Sequence, residues 1–155
     1  MGMFDWIDKM KGGKTTASKN KSQGSENNTA GFITAFEGLN MKDAIDAHLA
    51  WYKKLERAIA DKSAAGYEIR NVAADNNCAL GSWIYKEAKK FAALQEYETL
   101  RQSHADFHML AGEILILVRD GEFEQATQRL RRDLRRASDH VQLNLIRLCT
   151  RANAS

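Results

Sequence analysis

Residues 97–121 read YETLRQSHADFHMLAGEILILVRDG, and this stretch decides the fold. Tyr97, Leu100, His104, Phe107, His108, Ala111, Ile114, Leu115 and Val118 recur at steps of three and four, which is one face of an α-helix. Asp120-Gly121 is a good terminus, because glycine takes the left-handed conformation at a helix end without strain. His104 and His108 lie in the stripe, one turn apart and pointing the same way. A core would have to bury both, and imidazoles buried without partners cost roughly 2 kcal/mol or more each.

The segments on either side also read as helices. Upstream, Met41, Ile45, His48, Tyr52, Leu55 and Ile59 form a second stripe, with a break between Ala60 and Gly66. A looser helix is predicted from Tyr67 to about Ala74. Asn76 and Asn77 can cap a further helix that starts at Cys78 and carries Leu80, Trp83, Ile84, Ala88 and Phe91. Downstream, Phe123, Ala126, Leu130, Leu134, Ala137, Val141, Leu145 and Leu148 run along a last helix into the C-terminal residues. No segment alternates with period two, so no sheet is expected. The predicted fold is all-α: an antiparallel four-helix bundle with an extra short helix.

The chain has 155 residues and a net charge of +3, which suits one domain with a flexible end and is too small a charge to argue for nucleic acid. Proline is absent, so no ring interrupts a helix. Residues 11–31 contain almost nothing apolar and cannot repay the entropy of ordering. We therefore expect an N-terminal segment, 1–31, that is largely disordered, and a bundle over 32–152. Phe4, Trp6 and Ile7 make residues 3–10 a candidate docking peptide; a frayed helix packing on its own domain is the plainer reading. Two cysteines, no signal peptide and no long apolar run predict a cytoplasmic protein without a membrane span.

Three of the four histidines, His48, His104 and His108, fall in core-facing stripes. Cys78 opens a helix between them, where the helix dipole favours a thiolate. Three imidazoles and a thiolate suit tetrahedral zinc, with Zn–N near ~2.0 Å and Zn–S near ~2.3 Å. Four protein ligands would leave no open position for substrate, which points to a structural or sensing role.

Residues 43–53, DAIDAHLAWYK, residues 78–85, CALGSWIY, and residues 104–108, HADFH, resemble the bacterial chemoreceptor zinc-binding (CZB) domain family over roughly residues 32–120. The resemblance implies that His48, Cys78, His104 and His108 are the zinc ligands and that Gly81 and Trp83 are family positions. We read Gly81 as permitting close helix approach and Trp83 as a packing wall beside the metal. It further implies a four-helix bundle, often a homodimer, that senses zinc or reactive chlorine oxidants in chemotaxis or cyclic-di-GMP signalling, with Cys78 as the redox switch. Such domains are usually fused to a chemoreceptor rod or a diguanylate cyclase. This chain has no room for either, so its signal is expected to pass in trans to such a protein.

Two alternatives stand beside the sensor. One is a purely structural zinc adaptor. The other is a di-iron, hemerythrin-like oxygen binder, for which four histidines are fewer than two irons and their bridging carboxylates call for. An enzyme is not expected: Gly12-Gly13 lacks the rest of a phosphate loop, and no nucleophile with a base stands free of the metal set. Asp43, Asp46, Asp75, Asp106 and Glu113 are candidates to accept an imidazole N–H and fix a ligand's tautomer. His140 and Cys149 are set aside as a half-exposed helix residue and a small apolar one. Arg129, Arg131, Arg132, Arg135 and Arg136 read as a solvated basic face, or as a patch for an acidic partner. No aromatics are interleaved to support nucleic-acid stacking.

Overall fold

The computed structural model describes residues 35–154, so the expected N-terminal segment and its docking peptide lie outside the described residues. The helices α1 (Met41–Ala60), α2 (Ile69–Ala73), α3 (Ala79–Tyr85), α4 (Gln95–Arg119), α5 (Phe123–Gln128) and α6 (Arg135–Asn153) form an all-α bundle. A 3-10 turn, Glu87–Phe91, follows α3. A π-helical turn, Arg129–Leu134, joins α5 to α6.

α4 is the central rod. All nine residues of its predicted stripe are buried. Gly121, at φ 84°, ends the turn after it, and the chain doubles back so that α6 packs along α4. The stripe of the last rod steps by four twice, from Ala126 to Leu130 to Leu134, before returning to three at Ala137. On an α-helix of 3.6 residues per turn those residues drift by up to about 80° across one face. The π turn lies over that stretch, and all four are buried.

Three details differ from the sequence expectation. The buried face of α1 is Met41, Ala44, His48, Trp51, Leu55 and Ala58, whereas Ile45, Tyr52 and Ile59 are half-buried. The core takes the small alanines, which let neighbouring helices approach, and His48 sits on both faces. The predicted helix from Cys78 to Phe91 stops at Tyr85, so the fourth wall of the bundle is built from short pieces rather than one rod. A small antiparallel hairpin is also present: β1 (Ala35–Phe36) pairs with β2 (Leu39–Asn40). Its turn residues Glu37 and Gly38 both have positive φ, 48° and 81°, the geometry of the two-residue turn that suits strand twist. Asn40 then caps α1 through the Asp43 N–H at 3.0 Å.

Candidate metal centre

The four predicted residues come from three elements. His48 lies midway along α1, His104 and His108 lie a turn apart on α4, and Cys78 is the N-cap of α3. Cys78 is thus the cap and not the first helical residue, and Asn76 and Asn77 precede it. Its Sγ accepts the Gly81 N–H at 3.1 Å, a role that serine or aspartate usually fills at an N-cap. The structure brings the four together: their ligand atoms all lie within 4.8 Å of one another, and all four residues are buried. His104 Nε2 stands 3.1 Å from Cys78 Sγ. The His104 and His108 rings are 4.6 Å apart, and His48 is 5.2 Å from His104.

The hydrogen bonds fix two tautomers. His48 Nδ1 is 2.8 Å from the Ala44 carbonyl and His108 Nδ1 is 2.8 Å from the Val72 carbonyl. A carbonyl oxygen only accepts, so both Nδ1 atoms carry the proton and both Nε2 lone pairs are free. Those two Nε2 atoms, with His104 Nδ1, are buried without a hydrogen-bond partner. Leaving such groups unsatisfied costs about 1–3 kcal/mol each, and a cation satisfies the two Nε2 lone pairs, while His104 turns its own Nε2 to the Cys78 sulfur. The donor set therefore fits a metal, and three imidazoles with one thiolate fit zinc.

Backbone carbonyls, not carboxylates, orient these rings, which corrects the expectation of an acidic partner. Asp46 pairs with Lys42 on the surface, and Asp106 accepts from Gln102 at 3.0 Å. Asp75 accepts the Tyr85 hydroxyl at 2.5 Å. Its charge also acts on His108 and Cys78. Gly81 admits a closer approach than helix packing alone: a Cβ there would lie 1.8 Å from the Asp75 carbonyl oxygen and 3.1 Å from His104 Cε1. Trp83 stacks edge-on to Phe36 at 5.8 Å and donates to the Glu37 carbonyl at 3.0 Å, so it anchors the hairpin. The aromatic ring against the histidines is Phe107, 5.0 Å from His48 and 5.6 Å from His108. Gly112, which the sequence reading passed over, lies where a Cβ would meet the Ala73 Cβ at 2.9 Å.

Burial governs the protonation of the free ligands. It pulls His48 down to about 4, with the Ala44 carbonyl opposing. His104 falls to about 2, through burial and then its two histidine neighbours. His108 is also lowered, first by burial. Burial pushes the Cys78 thiol up to about 12, against the N–H groups of Gly81 and Leu80. The helix start thus favours the thiolate, as expected, but does not outweigh burial by itself.

Linkage gives a signed prediction for the zinc-free chain. The unfolded histidines titrate near 6.5 and the folded ones lower, so the unfolded state binds more protons as pH falls below 6.5, and stability drops. The unfolded thiol titrates near 9.0 and the folded one higher, so stability also drops as pH rises above 9.0. Thermal melts with a chelator present should show a plateau between these limits and a fall on both sides. A midpoint that keeps rising down to pH 5 would contradict the burial of neutral imidazoles.

The fold and this donor set define a helical, closed, metal-binding domain. Residues 48–115 match the family model described as the chemoreceptor zinc-binding domain (CZB), and zinc, which that description names, is the cofactor that the four clustered residues fit. The match begins at His48 and takes in all four clustered residues. No curated protein and no solved structure matches the chain.

His140 and Cys149 stay outside the cluster. His140 is exposed. Cys149 is buried, with its thiol 3.6 Å from Met41 Sδ. The five arginines from Arg129 to Arg136 are exposed, and Arg129 pairs with Asp133 at 3.0 Å. No helix among the described residues is long and apolar enough to cross a membrane.

Proposed function

We propose that this protein is a cytoplasmic, non-enzymatic sensor in which His48, Cys78, His104 and His108 hold one zinc ion and Cys78 is the switch. One observation carries the reading: the Cys78 sulfur is both a member of the metal cluster and the cap of α3. Whatever changes that sulfur changes the start of a helix as well. Zinc, when bound, holds the sulfur as a thiolate and makes it a nucleophile.

Two inputs act at this atom. Zinc supply sets whether α1, α3 and α4 are tied together, because metal binding is coupled to folding. A reactive chlorine oxidant acts on the sulfur directly. The thiolate gives two electrons to hypochlorous acid, so that thiolate and acid become sulfenic acid and chloride. A sulfenic acid is a weaker ligand and a weaker acceptor for the Gly81 N–H. The output passes in trans to a chemotaxis or cyclic-di-GMP partner, a chemoreceptor or a diguanylate cyclase. The protein works as a homodimer with residues 32–152 as the sensing bundle and residues 3–10 as the docking peptide.

The test is zinc content by elemental analysis, before and after stoichiometric hypochlorous acid. Wild type is expected to carry one zinc per chain and to lose most of it. Cys78→Ser should bind zinc at least about tenfold more weakly and show no oxidant-dependent change in helicity. An unchanged helicity shift in that variant would sink the redox reading. Tight zinc that survives the oxidant in wild type would favour a structural adaptor instead.

A further inference from the structure

The four clustered residues are all buried, but they are held in different ways. The backbone of Gly81 lies against the His104 ring, where a Cβ would come 3.1 Å from Cε1. The Val72 carbonyl, carried on α2, ties down His108 from across the bundle. Cys78 is held by the backbone of α3. His48, although only 3% exposed, lines a surface groove of about 370 Å³ between α1 and the last helical rod. Its ring is anchored to its own helix, by the single bond to Ala44.

The groove has a definite construction. Phe107 and Leu134 line it and are almost wholly buried, so its floor is apolar. Leu134 ends the π turn and Arg135 follows it, so the widened turn sets both a floor residue and a rim residue. Such turns inside α-helices recur at functional sites. On the rim stand Leu49, 47% exposed, and the exposed cations Lys53 and Arg135, with Asp139 as the one acid.

We propose that this groove is the passage through which metal is exchanged, with His48 as the ligand that leaves first and a small anionic metal-binding molecule taking its place. This rests on the zinc-centre reading. A swing of the His48 ring breaks one hydrogen bond within α1, whereas His108 is bonded across the bundle to α2 and Cys78 caps α3. The ring's departure joins the floor of the groove to the cluster. Two cations against one acid favour an incoming carboxylate or thiolate and raise its local concentration.

The test uses the zinc-loaded full chain and two chelators in stopped flow: anionic pyridylazoresorcinol, and an uncharged pyridyl-amine chelator. Reversing both rim cations, Lys53→Glu with Arg135→Glu, should slow extraction by the anionic dye at least about fivefold at low salt. The same pair should leave the uncharged chelator's rate unchanged. Leu49→Trp, which narrows the mouth, should slow both chelators. Met109→Trp, exposed but outside this groove, should behave as wild type. Wild-type rates in both groove variants would overturn the proposal, and so would an equal slowing by Met109→Trp. A chain that binds no zinc would instead remove the zinc-centre reading on which this rests. Normal zinc binding with unaffected rates would remove the passage alone.

Discussion

Loading the chain with zinc is expected to raise its midpoint of thermal unfolding by about 10–20 °C over the chelated form. Without metal, the Nε2 lone pairs of His48 and His108 sit buried with no partner, and a thiol pushed up to about 12 sits beside them. A ligand that binds only the folded chain stabilises it by about 4 kcal/mol at a thousand times its dissociation constant. The gain should be local as well as global. α2 and α3 are only five and seven residues long, and few backbone bonds hold them without their links to His108 and Cys78. Hydrogen exchange should therefore fall most in residues 69–85 on adding zinc. Calorimetry in buffers of different ionisation heat should find a single proton released near neutral pH. That proton comes from Cys78, because the histidines are already neutral there. A zinc-insensitive midpoint would mean that the cluster is not a metal site.

Gly81→Ala is expected to be the most damaging methyl that can be added to this chain among the described glycines. Its Cβ would fall 1.8 Å from the Asp75 carbonyl oxygen, inside any allowed contact, and a backbone oxygen cannot rotate away as a side-chain end can. Either the Ala74–Asn77 connection moves or α3 does, and Cys78 lies between them. We expect a loss of about 3 kcal/mol or more in denaturant unfolding, together with weakened zinc binding. Gly112→Ala is the informative contrast. Its Cβ would meet the Ala73 methyl at 2.9 Å, but alanine also gains about 1 kcal/mol in the middle of a helix. The two effects largely offset, so a loss near 1 kcal/mol or less is expected, read in the same melts.

The parts of this fold that sequence makes plain are the parts held by periodicity. α4 was readable residue by residue because a 25-residue helix averages over many turns, and its histidine pair came with it. α1 was readable as a helix, but its face was misjudged. A large half-buried Ile45 weighs more in a pattern than a small buried Ala44, although packing selects the alanine. The short elements carry no period to read. The Cys78 cap, the turn at Glu37-Gly38 and the stop at Tyr85 depend on contacts between segments distant in the chain, such as Trp83 with Glu37. His48 and Cys78 were placed by motif resemblance, and the structure brings them to the pair on α4. The orienting groups could not have been found from composition, because a carbonyl has no letter in the sequence.

That last point bears on anyone who would rebuild the site elsewhere. His48 and His108 are aimed by the peptide groups of Ala44 and Val72, and those side chains are interchangeable as far as the bond is concerned. Copying the four coordinating side chains, with any set of acidic neighbours, onto a foreign bundle would reproduce the donors without their alignment. What must be transplanted is the path of the main chain: one turn of α1 beneath His48, and the brief α2 segment laid across α4. In that sense the template for the metal is a piece of backbone, and the residues around it are free to drift.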